Sequence, residues 1–151
     1  MTVDIRAPRP DFLAFWREHH WCTLTTRRPD GTPHLVPVGV TYDPEARLAR
    51  VITGRRTVKV ANILAAERAE QAGQAGRAGQ AGLGGVRVAV CQVAKGRWST
   101  LEGRARIRTG PEEVTEAVRR YTERYLRAPR ENPERVVIEI AVDRAIGRGL
   151  G

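Results

Sequence analysis

The strongest chemical signal in the sequence is Thr53-Gly54-Arg55-Arg56-Thr57, followed by Lys59 and Asn62. A strand-like run, Arg47 to Thr53, ends there. Gly54 permits a tight turn, and a helix begins behind Thr57 as its cap. The first N–H groups of a helix have no partner inside it and carry partial positive charge, so they attract anions. Arg55, Arg56 and the Thr57 hydroxyl add donors at the same point. Lys59 and Asn62, three residues apart, share a helix face. Such convergence suits a phosphate. On local sequence alone, a solvated basic turn with an ordinary cap explains the pattern equally well.

A second signal is Pro33 to Val38 (PHLVPV), with His34. The prolines lack N–H donors and place the strand at an edge, at a bulge or against a ligand. A strand with few side-chain donors can lie flat against a planar ring and offer it backbone groups. His34 is read as lining such a site rather than as a general acid or base. Gln92, Trp98 and Ser99 flank a later turn. The plain alternative there is Trp98 as packing and Gln92 on the solvent face. Arg104, Arg106 and Arg108 alternate along one strand face and are read mainly as exposed.

These segments need a scaffold. Asp11 to His20 reads as a helix, with Phe12, Phe15, Trp16 and His19 on one side. Strands are expected over Trp21 to Thr26, Thr32 to Tyr42 and Arg47 to Thr53, joined by Arg28-Pro29-Asp30-Gly31 and Asp43-Pro44-Glu45-Ala46 turns. A short helix covers Val58 to Glu67. Glu70 to Gly85, rich in Ala-Gly pairs, reads as a flexible loop. Val86 to Val93 and Arg97 to Arg108 form a further strand pair, with Leu101, Gly103, Ala105 and Ile107 sharing a face. Thr109-Gly110-Pro111-Glu112 reads as a capping box before a helix striped by Val114, Val118, Tyr121 and Tyr125. Glu134 to Arg144 closes the set, with Val136, Ile138, Ile140 and Val142 inward. The expected architecture is mainly β with flanking α: one domain over 1–151, built on a six-stranded antiparallel barrel.

Composition narrows the function. The chain has 151 residues, 26 Lys plus Arg, 17 Asp plus Glu and a formal charge of +9. Residues 47–108 hold 13 basic and 3 acidic residues, a net of +10, so the remainder is close to neutral. All but Lys59 and Lys95 of the basic residues are arginines, a bias that a GC-rich genome produces by itself. No apolar run reaches the ~20 residues of a membrane span. No secretory signal opens the chain, and Cys22 and Cys91 stand alone, outside any zinc pattern. A reduced, cytoplasmic protein without a metal site is therefore expected. There is no GxSxG, HExxH, Walker or GxGxxG motif, and no nucleophilic triad. No nucleic-acid recognition element accompanies the charge. A basic polyanion-binding module without catalysis remains an alternative.

Taken together, Thr25-Thr26 … Asp30-Gly31-Thr32-Pro33-His34, Thr53 … Lys59 … Asn62, and Gln92 … Arg97-Trp98 … Leu101-Glu102-Gly103 resemble the split β-barrel flavin- and deazaflavin-binding proteins of the pyridoxamine 5'-phosphate oxidase-like superfamily. Leu101 to Ala105 and Arg120-Tyr121 … Arg124-Tyr125 … Pro129-Arg130 … Asn132-Pro133 … Arg135 to Glu139 are similar to its actinobacterial coenzyme F420-dependent branch, the biliverdin reductases above all. The resemblance implies a homodimer with two cofactor sites at its interface. It implies that coenzyme F420 (8-hydroxy-5-deazaflavin), or alternatively FMN, is lined by His34, Leu35, Val36, Pro37, Val38, Thr53, Gly54, Lys59, Val60, Ala61 and Asn62. Gln92 and Trp98 would approach it, and Arg55 and Arg56 would join Lys59 at the phosphate. The implied reaction is hydride transfer to a conjugated small-molecule substrate such as a tetrapyrrole. No catalytic side chain is assigned, since ordered water serves as a proton donor as well as any residue.

Overall fold

The computed structural model describes residues 1–75 and 84–150. Its elements in chain order are β1 (Thr2–Val3), α1 (Pro10–Phe15), β2 (Cys22–Arg27), β3 (Pro33–Val38), β4 (Thr41–Asp43), β5 (Leu48–Gly54), α2 (Val58–Ala75), β6 (Val86–Ala94), β7 (Arg97–Arg108), α3 (Pro111–Tyr125) and β8 (Arg135–Arg148). The strands form one antiparallel sheet in the order β3-β2-β6-β7-β8-β5-β4, with β1 added to β8. The path curls around a core but stays open, with β3 and β4 as its two ends. This is the mainly β, antiparallel architecture expected from the sequence, with eight strands in place of six.

Alternation decides the inward faces. Leu24, Val88, Val90, Leu101, Ala105, Ile138 and Ile140 point into one buried cluster. Phe12, Phe15 and Trp16 of the α1 segment close one side of it, and Val60 and Ile63 of α2 another. β8 is buried on both faces at Val136, Val137 and Ile138. The inward set Val136, Ile138, Ile140 and Val142 is as the sequence predicts.

Several boundaries differ, each for a local reason. The Thr32–Tyr42 run breaks at Gly39 into β3 and β4. A Cβ at Gly39 would lie 2.8 Å from the Tyr121 ring, and the Tyr125 hydroxyl accepts from the Val40 N–H at 3.0 Å. α1 ends at Phe15, and His19 is exposed. Beyond that end, Glu18 turns to Arg97 (2.8 Å) and His20 (2.7 Å). α3 starts behind Gly110 with no side-chain cap, so the predicted box is absent: Thr109 sits one residue too early. The deepest α3 side chains are Ala117 and Arg124 rather than the Val/Tyr stripe. The Ala/Gly repeat continues α2 as far as Ala75, since alanine is the best helix former. Residues 76–83 of the predicted loop lie outside the described residues.

Candidate functional site

The turn between β5 and α2 is built from both sides. β5 pairs with β8 through Gly54↔Arg135, and the Arg55 N–H donates to the Glu134 carbonyl at 2.9 Å. Gly54 sits beside Asn132, whose Nδ2 a Cβ would approach to 3.5 Å. The Thr57 hydroxyl donates to the Gly54 carbonyl at 3.0 Å and lies 3.4 Å from the Thr53 hydroxyl. The Thr57 carbonyl accepts from Ala61 N–H at 3.1 Å, which opens the helix at the expected position. The first turn of α2 holds no acidic residue.

The basic residues here differ in what they meet. Arg56 reaches Glu134 at 3.2 Å on an exposed surface, a pair of little energetic weight. Arg55 is exposed, and its guanidinium has no partner among the described residues. Lys59 is half-buried and likewise has no carboxylate or hydrogen-bond partner among them. Loss of hydration pushes the Lys59 amine below its ordinary value, with no neighbouring anion to oppose the shift. A cation held partly out of water without compensation is a charge in wait of an anion.

Asn62 carries the site toward the sheet. It is 5% exposed, and its Nδ2 donates to Thr26 Oγ1 at 3.1 Å. Thr26 is paired in register with His34 on β3, whose Nδ1 is buried and has no hydrogen-bond partner among the described residues. The structure therefore brings Lys59, Asn62 and His34 onto one connected stretch of α2, β2 and β3. β3 is an edge strand, paired on β2 alone, so its outer backbone groups are free of the ladder. Its pleat splits the predicted run: Leu35 and Pro37 are exposed, whereas His34 and Val36 are half-buried and Val38 is buried.

Other predicted residues lie apart. Val60, 1% exposed, is a core residue, while Ala61 is exposed. Gln92 is 1% exposed and points inward, opposite Ser99, and not to solvent. Its Nε2 donates to the Phe15 carbonyl at 3.0 Å, and its Oε1 accepts from Arg124 at 2.6 Å. Trp98, one pair further along, is on the outer face across from Val93. Gln92 and Trp98 thus face opposite sides of the sheet within one chain. Its parity was readable: Arg87 faces out, so Gln92, five residues on, must face in.

Sequence reasoning gave Arg124 no role in the fold. It is 6% exposed and donates to the carbonyls of Glu18 (2.9 Å) and Val40, to Gln92, and weakly to Cys22 Sγ. Burial raises the Cys22 thiol above its ordinary value. The Arg104 face is not simply solvated either: Arg104 reaches the Gly85 carbonyl at 3.2 Å, and Arg108 reaches Glu139 at 3.3 Å.

The described strands form one open antiparallel sheet with a basic helix start, that of α2, packed on β2. The chain belongs to the pyridoxamine 5'-phosphate oxidase family, whose profile matches residues 9–148. Within reach of it in sequence is the F420H2-dependent biliverdin reductase of Mycobacterium tuberculosis (strain CDC 1551 / Oshkosh). The two are 42% identical over 137 residues, which cover 91% of this chain and 85% of that protein. Among solved structures, an F420 reductase matches with a TM-score of 0.64 at 19% identity, over 93% of this chain and 98% of that one. General Stress Protein 26 from Bacillus anthracis str. Sterne matches with a TM-score of 0.63 at 19% identity, over 91% of this chain and 90% of that one. At these identities the solved structures speak for the fold alone.

Proposed function

We propose that the protein is an oxidoreductase that uses reduced coenzyme F420, with biliverdin reduced to bilirubin as its reaction. The observation that carries this reading is Lys59, a half-buried cation without a counter-charge at the start of α2. The 42% identical relative bears the matching activity in its name. The residues present fit a phosphate-bearing deazaflavin. Lys59 and Arg55 supply charge, Arg56 joins by giving up its exposed Glu134 contact, and the Thr53 and Thr57 hydroxyls supply directional hydrogen bonds. The orphan His34 Nδ1 and the free edge of β3 supply polar contacts for a flat ring, with Leu35 and Pro37 as its apolar neighbours. When bound, the reduced deazaflavin supplies a hydride at its C5. The chain then needs no nucleophile; it orients two conjugated systems and excludes water between them.

The same reading makes the protein a homodimer. Trp21, Leu35 and Val93 are large, apolar and exposed, at 62%, 61% and 67%. Leu35 on β3 and Val93 on β6 project from the outer side of the sheet on either side of β2, and Trp21, just ahead of β2, rests one ring face on Tyr125, a surface suited to a second copy. Trp98 on that outer side would then contribute across the interface.

The test is direct. Purified protein should be colourless and bind reduced and oxidised F420 with micromolar affinity. Lys59→Ala should lose that binding while keeping its thermal midpoint. FMN copurifying as a yellow, tightly held chromophore would replace F420 with a flavin in this reading. Turnover of biliverdin with reduced F420, followed by the bilirubin absorbance, tests the substrate separately.

A further inference from the structure

Beyond its first turn, α2 encloses a cavity of about 280 Å³ against the sheet. Asn62, Ile63, Ala66 and Glu70 of α2 face Thr26 of β2 and Val88 of β6 across it. Neither Lys59 nor the β5–α2 turn lines it, so it runs along α2 away from the place assigned to the phosphate. We propose that this cavity holds one lactam ring of the conjugated acceptor, with the Asn62 side-chain amide recognising the lactam edge. The inference rests on the function proposed above and adds where the acceptor sits.

Asn62 is 5% exposed, yet only part of its amide is used. Nδ2 gives one hydrogen to Thr26 Oγ1 at 3.1 Å, and Oδ1 has no hydrogen-bond partner among the described residues. Unlike the Thr41 and Tyr42 hydroxyls, which are closed off within the core, Oδ1 keeps a contact with open space, and the cavity is what Asn62 lines. A ligand that fills the cavity without offering an N–H leaves this oxygen unmade, a penalty large enough to select against it.

The chemistry of the amide selects the ligand. Asn62 offers an acceptor, Oδ1, and a second Nδ2 hydrogen. A cyclic lactam carries the complementary pair on one edge, an N–H beside a C=O, because its ring holds the amide cis. A carboxylate has no donor for Oδ1, and an ammonium or guanidinium has no acceptor for Nδ2. Ile63, Ala66 and Val88 make the rest of the wall apolar, as the flat faces of a conjugated ring require. Biliverdin ends in such lactam rings. The volume lies just under the ~300–1,000 Å³ of cavities that enclose a whole ligand, so it takes one ring and leaves the rest of a linear tetrapyrrole outside.

The charged groups around the cavity leave its mouth positive. Glu70 is taken by Arg104 at 3.6 Å, and Arg104 also reaches the Gly85 carbonyl at 3.2 Å. Arg87 pairs with Asp143. Arg27 is exposed and has no partner among the described residues. A guanidinium at the mouth matches the propionate carboxylates of a tetrapyrrole whose lactam ring is inside, and its exposure keeps that contribution small.

The probe is isoindolin-1-one, a flat lactam, with its N-methyl derivative as the control that lacks the N–H. Each is titrated into ¹⁵N-labelled protein, first without F420 and then with oxidised F420 at saturation. Isoindolinone should give saturable shifts at the Asn62 side-chain amide, Ala66 and Val88 in both series, and biliverdin should displace it. The N-methyl compound should bind ~10-fold more weakly or worse, the cost of an unmade buried acceptor. Ala66→Leu, which fills the cavity and spares the α2 start, should abolish the shifts and raise the KM for biliverdin several-fold, with F420 affinity and the thermal midpoint unchanged. Arg27→Gln should weaken biliverdin ~2-fold, the worth of an exposed ion pair, and leave isoindolinone unchanged. Failure of F420 to bind would overturn the function proposed above and leave the cofactor-free series to decide the cavity. Four results overturn the inference itself. They are the absence of saturable shifts up to ~10 mM lactam, equal binding of the two compounds, loss of the probe when F420 binds, which gives the cavity to the cofactor, and biliverdin that fails to displace the probe.

Discussion

Lys59 and Arg124 are both cations drawn away from water with no carboxylate beside them, yet they are solved in opposite ways. Arg124 is deeper, and it fills its donors with backbone carbonyls, Gln92 and Cys22. Lys59 is only half-buried, and nothing among the described residues accepts from it. The guanidinium holds three parts of the fold together: the α1 end, the β3–β4 link and β6. The ammonium holds nothing. A charge whose hydrogen bonds are made internally belongs to the structure, and a half-buried one whose bonds are unmade is the one left for the anion that the proposed function requires.

The sharpest way to break this contrast is Arg124→Met. It strands the acceptors of Glu18, Val40 and Gln92 inside the core, so unfolding free energy should fall by ~3 kcal/mol or more, read by urea denaturation. If stability were unchanged, Arg124 would not be the structural member of the pair. Gly39→Ala should cost about 1–3 kcal/mol, because its methyl would meet the Tyr121 ring at 2.8 Å in the same β3–β4 link.

Lys59→Ala should do the reverse. Stability should stay level or rise slightly, since a desolvated charge is removed, while F420 affinity falls ~10-fold or more by fluorescence titration. A smaller effect separates the two cations by pH. The folded amine of Lys59 is lowered relative to the unfolded chain, so the folded state is disfavoured below that lowered value and gains stability as pH rises through it toward the unfolded value. Phosphate binding should draw a proton back onto Lys59 in that alkaline window. Calorimetric titrations in buffers of different ionisation enthalpy should show proton uptake for the wild type and none for Lys59→Met.

The smallest effect concerns an exposed pair for comparison. The Arg97 guanidinium and then His20 hold the Glu18 carboxyl down at about 2. Its stabilising contribution is present above the unfolded carboxylate range and is lost as pH falls from there toward 2. Both partners are well solvated, so screening keeps the effect small. Glu18→Gln should flatten only the acid limb of a thermal-midpoint profile and leave cofactor binding alone.

Much of the fold could be read from the chain because strands carry their own period. The alternation of Val86–Val93 and Arg97–Arg108 gave both strands to within a residue at most, and the inward set of β8 followed the same rule. The α2 start was visible because Gly, Thr and a basic run coincide within ten residues. The break at Gly39 was not, because its cause is Tyr121 and Tyr125, more than eighty residues away. Of the two readings of Gln92, the plain one on the solvent face goes against its parity, which puts it inside; the partner that rewards its burial, Arg124, is 32 residues on and out of reach of any strand period.

The sequence by itself determined the alternating strands, the location of excess positive charge and the helix start that gathers it, since these depend on neighbours within a turn or a pleat. Only the tertiary structure decided which cations are spent and which are free. Arg56, Lys59, Arg120 and Arg124 look alike as letters. Burial and the acceptors brought from distant strands and helices make one a surface pair, one a half-buried charge with no acceptor among the described residues, one a partner of Asp43 and Glu116 and one a clamp.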